Sequence, residues 1–165
     1  MPKHLFFILF LLAFKQIQAQ NELLNPGALG LDSFTVEMQM CNPELRVFQY
    51  WQVNAKNEKS SQQILSEWRN FFKKPSDFKE SGFLTIRFIV NCKGEPRVYK
   101  FYEMDLNYQK KTFSDALKTQ IWDFTKQLSG FKKGVYTYKD KVYDVNYYYY
   151  FIFKIENGEF QSIAP

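Results

Sequence analysis

Along the chain, apolar residues recur at two different periods. Leu84, Ile86, Phe88 and Val90 fall on alternate positions, with Thr85, Arg87 and Asn91 between and beyond them. That is the period of a strand with one face turned inward. A Lys93-Gly94-Glu95-Pro96 turn follows, and 97–104 returns as a second strand. Upstream, Ile64, Trp68, Phe71 and Phe72 have the i, i+4, i+7, i+8 spacing of a helix face. Ser60 and Gln63 stand at capping-box spacing before it, and Lys73-Lys74-Pro75 ends it. Thr112 and Asp115 open a second helix on the capping pattern, with Phe113, Leu117, Ile121, Phe124 and Leu128 as its stripe and Gly130 as its stop.

The stretch NYYYYFIFKI at 146–155 predicts the last long strand. Tyr147, Tyr149, Phe151, Phe153 and Ile155 share one face, and Asn146, Tyr148, Tyr150, Ile152 and Lys154 share the other. Neither face is polar, so either both are covered or one offers tyrosines to a partner. The tyrosine-rich stretch 135–144 reads as extended and is a candidate to pair with 146–155. Residues 156–159 are a turn before a short tail. Near the start, Phe34, Val36, Met38 and Met40 alternate like a strand until Asn42-Pro43 breaks the pattern. Residues 47–53 fit a strand or a helical turn, and 34–53 together are a candidate cover for the second sheet face. Trp51, Trp68 and Trp122 read as core or half-buried.

Composition adds the compartment. A short basic start and the apolar run LFFILFLLAF at 5–14 lead to Ala19, the anatomy of a secretory signal peptide. The run is too short to span a bilayer as a helix, which takes about 20 residues. The expected organisation is a signal peptide at 1–19, an N-terminal extension at 20–59 packing on the domain, and an α+β domain at 60–165. No integral span is expected after cleavage. The only histidine, His4, leaves with the leader. This excludes Ser-His-Asp and Cys-His nucleophiles and histidine-bearing zinc sites, and nothing points to a cofactor or metal. Export permits a disulfide between Cys41 and Cys92, with two separate buried thiols as the alternative. The net charge of +5 is mild, and its lysines are scattered pairs. Nucleic acid is not an expected partner of an exported chain with that pattern.

Lys74-Pro75, then GFLTIRFIV at 82–90 and Lys93-Gly94-Glu95, followed by the second helix and FIFKI at 151–155, resembles a TonB C-terminal domain in order and spacing. The resemblance covers 65–155 and implies a small antiparallel sheet backed by two helices, here with an extra N-terminal strand region. The family's transducers carry an uncleaved anchor and a Pro-rich spacer, neither of which is expected here. Their Tyr-Pro is Lys74-Pro75 here, and their W-x-P-G after the second helix is Phe131-Lys132-Lys133-Gly134. Transducer activity is therefore not expected. In that family the closing strand lies at a sheet edge and accepts a peptide from an outer-membrane receptor. The resemblance thus implies a non-enzymatic, exported protein–protein interaction module, expected in the periplasm, with a secreted or outer-membrane-associated location as the alternative. It would dock an extended segment of an envelope or outer-membrane protein at Tyr147, Tyr148, Tyr149, Tyr150 and Phe151 by strand addition. One alternative is small-ligand or glycan binding through exposed tyrosines, with Tyr136, Tyr138, Tyr148 and Tyr150 as the lining. Another is a hydrolase using a carboxylate pair drawn from Glu80, Glu95, Glu103, Asp105, Asp115 and Asp144.

Overall fold

The computed structural model describes Cys41 and residues 46–165. The expected leader and the expected strand through Phe34, Val36, Met38 and Met40 lie outside the described residues. In chain order the elements are β1 (Phe48–Gln49), a 3-10 turn (Tyr50–Val53), α1 (Ser61–Phe71), β2 (Gly82–Val90), β3 (Pro96–Met104), α2 (Asp115–Gln127), β4 (Gly134–Tyr138), β5 (Lys141–Val145), β6 (Tyr147–Glu156) and β7 (Glu159–Ala164). The architecture is α+β, a five-stranded sheet with two helices and a separate two-stranded hairpin. Among the described residues no helix is long and apolar enough to cross a membrane.

Both helix starts have a chemical cause. The Ser60 hydroxyl accepts from the Gln63 N–H at 3.3 Å while Gln63 Oε1 accepts from the Ser60 N–H at 2.8 Å, so two orphan donors of α1 are satisfied reciprocally. The second helix starts at Asp115 with Ser114 as its N-cap, rather than after Thr112. Ser114 makes no capping bond of its own. Its hydroxyl donates to Glu80 at 2.7 Å, fastening the helix to the segment before β2.

β6 is the inner strand. Along one side it pairs antiparallel with β2, from Tyr147 opposite Val90 to Ile155 opposite Gly82. Its other side is divided: β1 runs parallel beside Tyr147 and Tyr148, and β7 runs antiparallel beside Ile152 to Glu156. β3 pairs with the far side of β2. The tail expected after 156–159 is thus a strand. Its turn places Asn157 at φ 51 and Gly158 at φ 76, and a Cβ on Gly158 would meet the Phe78 carbonyl oxygen at 2.1 Å. Only glycine fits there. The stretch 135–144 does not pair with β6; it folds on itself as the β4–β5 hairpin. Lys139 and Asp140 form its turn at φ 46 and 61, the left-handed pair that a two-residue hairpin requires. Of the expected N-terminal extension, 48–49 extends the sheet beside β6 instead of covering its face.

The odd positions of β6 form the floor of the core. Tyr147, Tyr149, Phe151, Phe153 and Ile155 are all buried, each contributing about 1.5–3 kcal/mol if fully removed from water. Trp68 of α1 sits at the centre of the rings above them, with centroids 5.4 Å from Phe124, 5.4 Å from Phe153 and 4.9 Å from Phe160. Its Nε1 is buried without a partner, at a cost of about 1–3 kcal/mol, which this ring packing offsets.

Cys41 and Cys92 are bonded, with S–S 2.04 Å. Asn146 anchors that bridge to the start of β6: its Oδ1 accepts from the Cys41 N–H at 3.3 Å and its Nδ2 donates to the Cys41 carbonyl at 3.2 Å. The Asn146 carbonyl accepts from the Phe48 N–H at 3.0 Å, so the same residue seats β1. The cysteines are 51 positions apart. Replacing both by serine is expected to lower stability by about 4 kcal/mol in the chain-entropy account, read as a fall in the urea midpoint with a somewhat larger m-value, because the released unfolded chain exposes more surface.

Candidate functional site

The tyrosine run splits between two environments because its side chains alternate. The hydroxyl of Tyr147 donates to the Lys132 carbonyl at 2.7 Å, so the polar tip of this buried ring has a main-chain partner. Tyr149 is buried among the core rings, 5.5 Å from Phe131 and 5.9 Å from Phe88. Phe151 is core as well. Tyr148 is 8% exposed, with the Arg87 guanidinium carbon 4.4 Å from its ring centroid. Of the five residues singled out in the sequence, only Tyr150 lines a surface depression. A strand cannot join β6 at either end, because β1 and β7 hold that side and β2 the other.

The face of the sheet away from the helices carries the depression, of roughly 400 Å³. Register sets what meets there. Arg87 lies opposite Tyr150 on β6 and Lys100 on β3; Thr85 lies opposite Ile152 and Tyr102. Gln49 of β1 and Trp51 of the 3-10 turn complete the lining. Trp51 is 61% exposed and Tyr102 39%, which corrects the reading of Trp51 as core or half-buried. The cause is its place in the turn: Tyr50 takes the inward position, 5.0 Å from the Tyr149 ring, and Trp51 stands edge-on against it at 5.1 Å. The Tyr50 ring also stands edge-on to Tyr150, with centroids 6.1 Å apart, so the aromatic wall is backed by ring packing. Trp68 is buried and Trp122 half-buried, its ring tilted against Tyr99 with centroids 4.2 Å apart.

The other expected patch does not assemble. Tyr136 packs on Phe48 at 4.6 Å and Tyr138 projects from the hairpin tip beneath Lys139, while Tyr148 and Tyr150 belong to the sheet face. The candidate carboxylates are taken up in local structure. Glu80 holds Ser114, Asp105 accepts from the Asn107 and Gln109 N–H groups, and Glu103 accepts from Phe113 and Lys118. Glu95 is held below the usual carboxylate range by its Asn91 hydrogen bond, with Arg97 adding to it. Asp115 pairs with Lys118 in the first turn of α2, and Asp144 lies on β5. None of the six lines the depression. Among the described residues no group of three or more His, Cys, Asp or Glu is placed to hold a metal. A smaller hollow of roughly 220 Å³ lies against α1 and α2, with Phe71, Phe124 and Leu128 in its wall.

The chemistry available on the open face is stacking and donation. Trp51, Tyr102 and Tyr150 offer rings, Gln49 and Thr85 offer neutral polar groups, and Arg87 offers a planar fork of N–H donors. Trp51, Tyr102 and Arg87 were missed from sequence as a set, because nothing in their spacing joins them. The one local signal was Thr85 and Arg87 alternating with the core residues of β2, which marks that face as the wet one. Comparison with protein families, curated proteins and solved structures gave no match.

The buried phenols give a pH prediction. Burial, then the neighbouring Tyr149 phenol, pushes the Tyr147 pKa upward from the ordinary 10.0. Burial likewise raises Tyr148 and Tyr149 from 10.0. In each case the folded value exceeds the unfolded one, so the unfolded chain loses protons first as pH rises. Stability is expected to be flat on this account up to about pH 9 and to fall beyond 10, followed as urea midpoints up to about pH 11. Tyr147→Phe should shallow that fall while costing about 1 kcal/mol at neutral pH for the lost hydroxyl bond.

Proposed function

We propose that the chain is an exported, non-enzymatic binding module that holds a glycan against the open face of its sheet. The observation that carries this reading is the depression itself. Exposed Trp51 and Tyr102 bracket Arg87 and Thr85 on a face that no described element packs over. Rigid aromatic planes with interleaved donors suit sugar rings, which present apolar faces and hydroxyl edges. Export is supported by the leader-like start and by the Cys41–Cys92 bridge, since disulfides persist in oxidising compartments such as the periplasm. The non-enzymatic reading is supported by the engagement of Glu80, Glu95, Glu103, Asp105 and Asp115 in hydrogen bonds or ion pairs.

A second reading keeps the peptide-docking expectation of a TonB-like domain but moves it. The helix, two strands, helix and strand from α1 to β6 follow the order that the resemblance implies, and β4, β5 and β7 are additions to it. β3 pairs with β2 alone among the described strands, and exposed Tyr99 and Tyr102 flank it, so an extended segment of an envelope protein would add there. Against this, Pro96, Arg97, Lys100 and an irregular register between Phe88 and Ile89 are features that guard an edge.

Two substitutions separate the readings. The full chain is titrated with neutral cello-, malto- and xylo-oligosaccharides and with peptidoglycan fragments by calorimetry. Trp51→Ala or Tyr102→Ala is expected to weaken glycan binding about five- to tenfold, the loss of one ring contact of about 1 kcal/mol, with Phe101→Pro nearly silent. Retention of envelope proteins that Phe101→Pro abolishes, with no sugar bound by any version, would replace the glycan reading by strand addition.

A further inference from the structure

Tyr108 stands in an unfavourable place for a large ring. It lies in the loop after β3 with φ 62. Glycine or asparagine normally takes that left-handed position, and a bulky side chain is strained there. The loop nevertheless holds it firmly. The Asn107 and Gln109 N–H groups donate to Asp105 Oδ1 at 2.8 and 2.9 Å, and the Tyr108 N–H donates to the Asp105 carbonyl at 3.1 Å. Its ring lies parallel to that of Phe83 on β2, with centroids 5.3 Å apart and an interplanar angle of 6°. Even so it is 69% exposed, the most open aromatic ring among the described residues. A ring that only shielded half-buried Phe83 would hide more of itself.

Register places this ring pair in line with the depression. Phe83, Thr85 and Arg87 are alternate residues of β2 and share its open face. Arg87 is level with Tyr150 and Thr85 with Tyr102; Phe83 comes next, with Tyr108 beside it. From Arg87 to Phe83 is four residues, about 14 Å of strand. Rings thus recur along the face: Trp51 and Tyr150 at one end, Tyr102 between, Tyr108 at the other. Polar groups alternate with them, and Lys154, ion-paired with Glu156 at 2.7 Å, flanks Phe83 on β6. We infer that Tyr108, stacked on Phe83, is a further sugar platform, and that the site takes a straight glycan chain longer than a disaccharide. This deepens the reading above and rests on it. A single sugar needs only the hollow between Trp51 and Tyr102. A chain of equatorially linked pyranose rings, which stays extended and presents flat C–H faces at intervals, also reaches Tyr108. An axially linked chain coils away from a straight row. Because the loop fixes Tyr108 beforehand, little entropy is lost on contact.

The test titrates the full chain by calorimetry with cello-, xylo- and malto-oligosaccharides of two to six sugars. In the cello or xylo series, affinity is expected to rise about five- to tenfold from the disaccharide to the hexasaccharide, the gain of one ring contact. The coiled malto series should show no such rise. Tyr108→Gly should remove the rise and leave the disaccharide unchanged, whereas Trp51→Ala weakens every length. Glycine suits the left-handed position, so the urea midpoint of Tyr108→Gly should stay level or increase. Tyr108→Phe keeps the ring and should bind as the parent chain does. Equal affinity for two and six sugars, or a rise that survives Tyr108→Gly, overturns the platform while Trp51-dependent binding leaves the glycan site in place. A lowered midpoint in Tyr108→Gly with the rise intact assigns Tyr108 to the fold alone. An equal rise in the malto series overturns the straight chain. If neither these sugars nor peptidoglycan fragments bind, this inference and the reading beneath it both fall.

Discussion

The pairing of β6 with β2 along nine consecutive positions, Tyr147 through Ile155 against Val90 through Gly82, sets the rest of the molecule. Because side chains alternate, that register sends Tyr147, Tyr149, Phe151, Phe153 and Ile155 beneath the helices. A slip by one residue would place Tyr148, Tyr150 and Lys154 there instead, burying an ammonium with no counter-charge. Two side-chain bonds hold the register from outside the ladder. Tyr147 reaches the Lys132 carbonyl beyond α2, and Asn146 grips both main-chain groups of Cys41. The tyrosines are thus not interchangeable with phenylalanine: the ones turned inward locate the segments around the sheet.

Once β6 is inner, the geometry of recognition changes. Its two sides are occupied by β2 and by the shared neighbours β1 and β7, so among the described strands main-chain docking is left to outer edges, the longest being that of β3. That margin carries Pro96 at its start and the charges Arg97 and Lys100, the same features by which natural sheets discourage unplanned pairing. Among the described residues, side-chain recognition on the open face meets no such obstacle. Its wall is also backed by ring packing, since Tyr50 lies against both Tyr149 and Tyr150. A wall already fixed loses little entropy when a ligand arrives.

Much of this was legible in the chain. The two helices, β2, β3 and β6 follow directly from apolar periodicity, and so does the choice of which β6 residues share a face. What escaped has physical reasons. β7 has two apolar residues that the register buries, Phe160 and Ile163, too few to stand out from a tail. The β4–β5 turn is Lys139-Asp140, which adopts left-handed φ without the glycine that advertises a hairpin. β1 is two residues long and pairs in parallel across the chain, a long-range event that no local pattern encodes. The site suffered most. Gln49, Trp51, Thr85, Arg87, Tyr102 and Tyr150 come from five elements, and only the completed register brings them together. Sequence directed attention to the conspicuous YYYY run, whose very hydrophobicity makes most of it core.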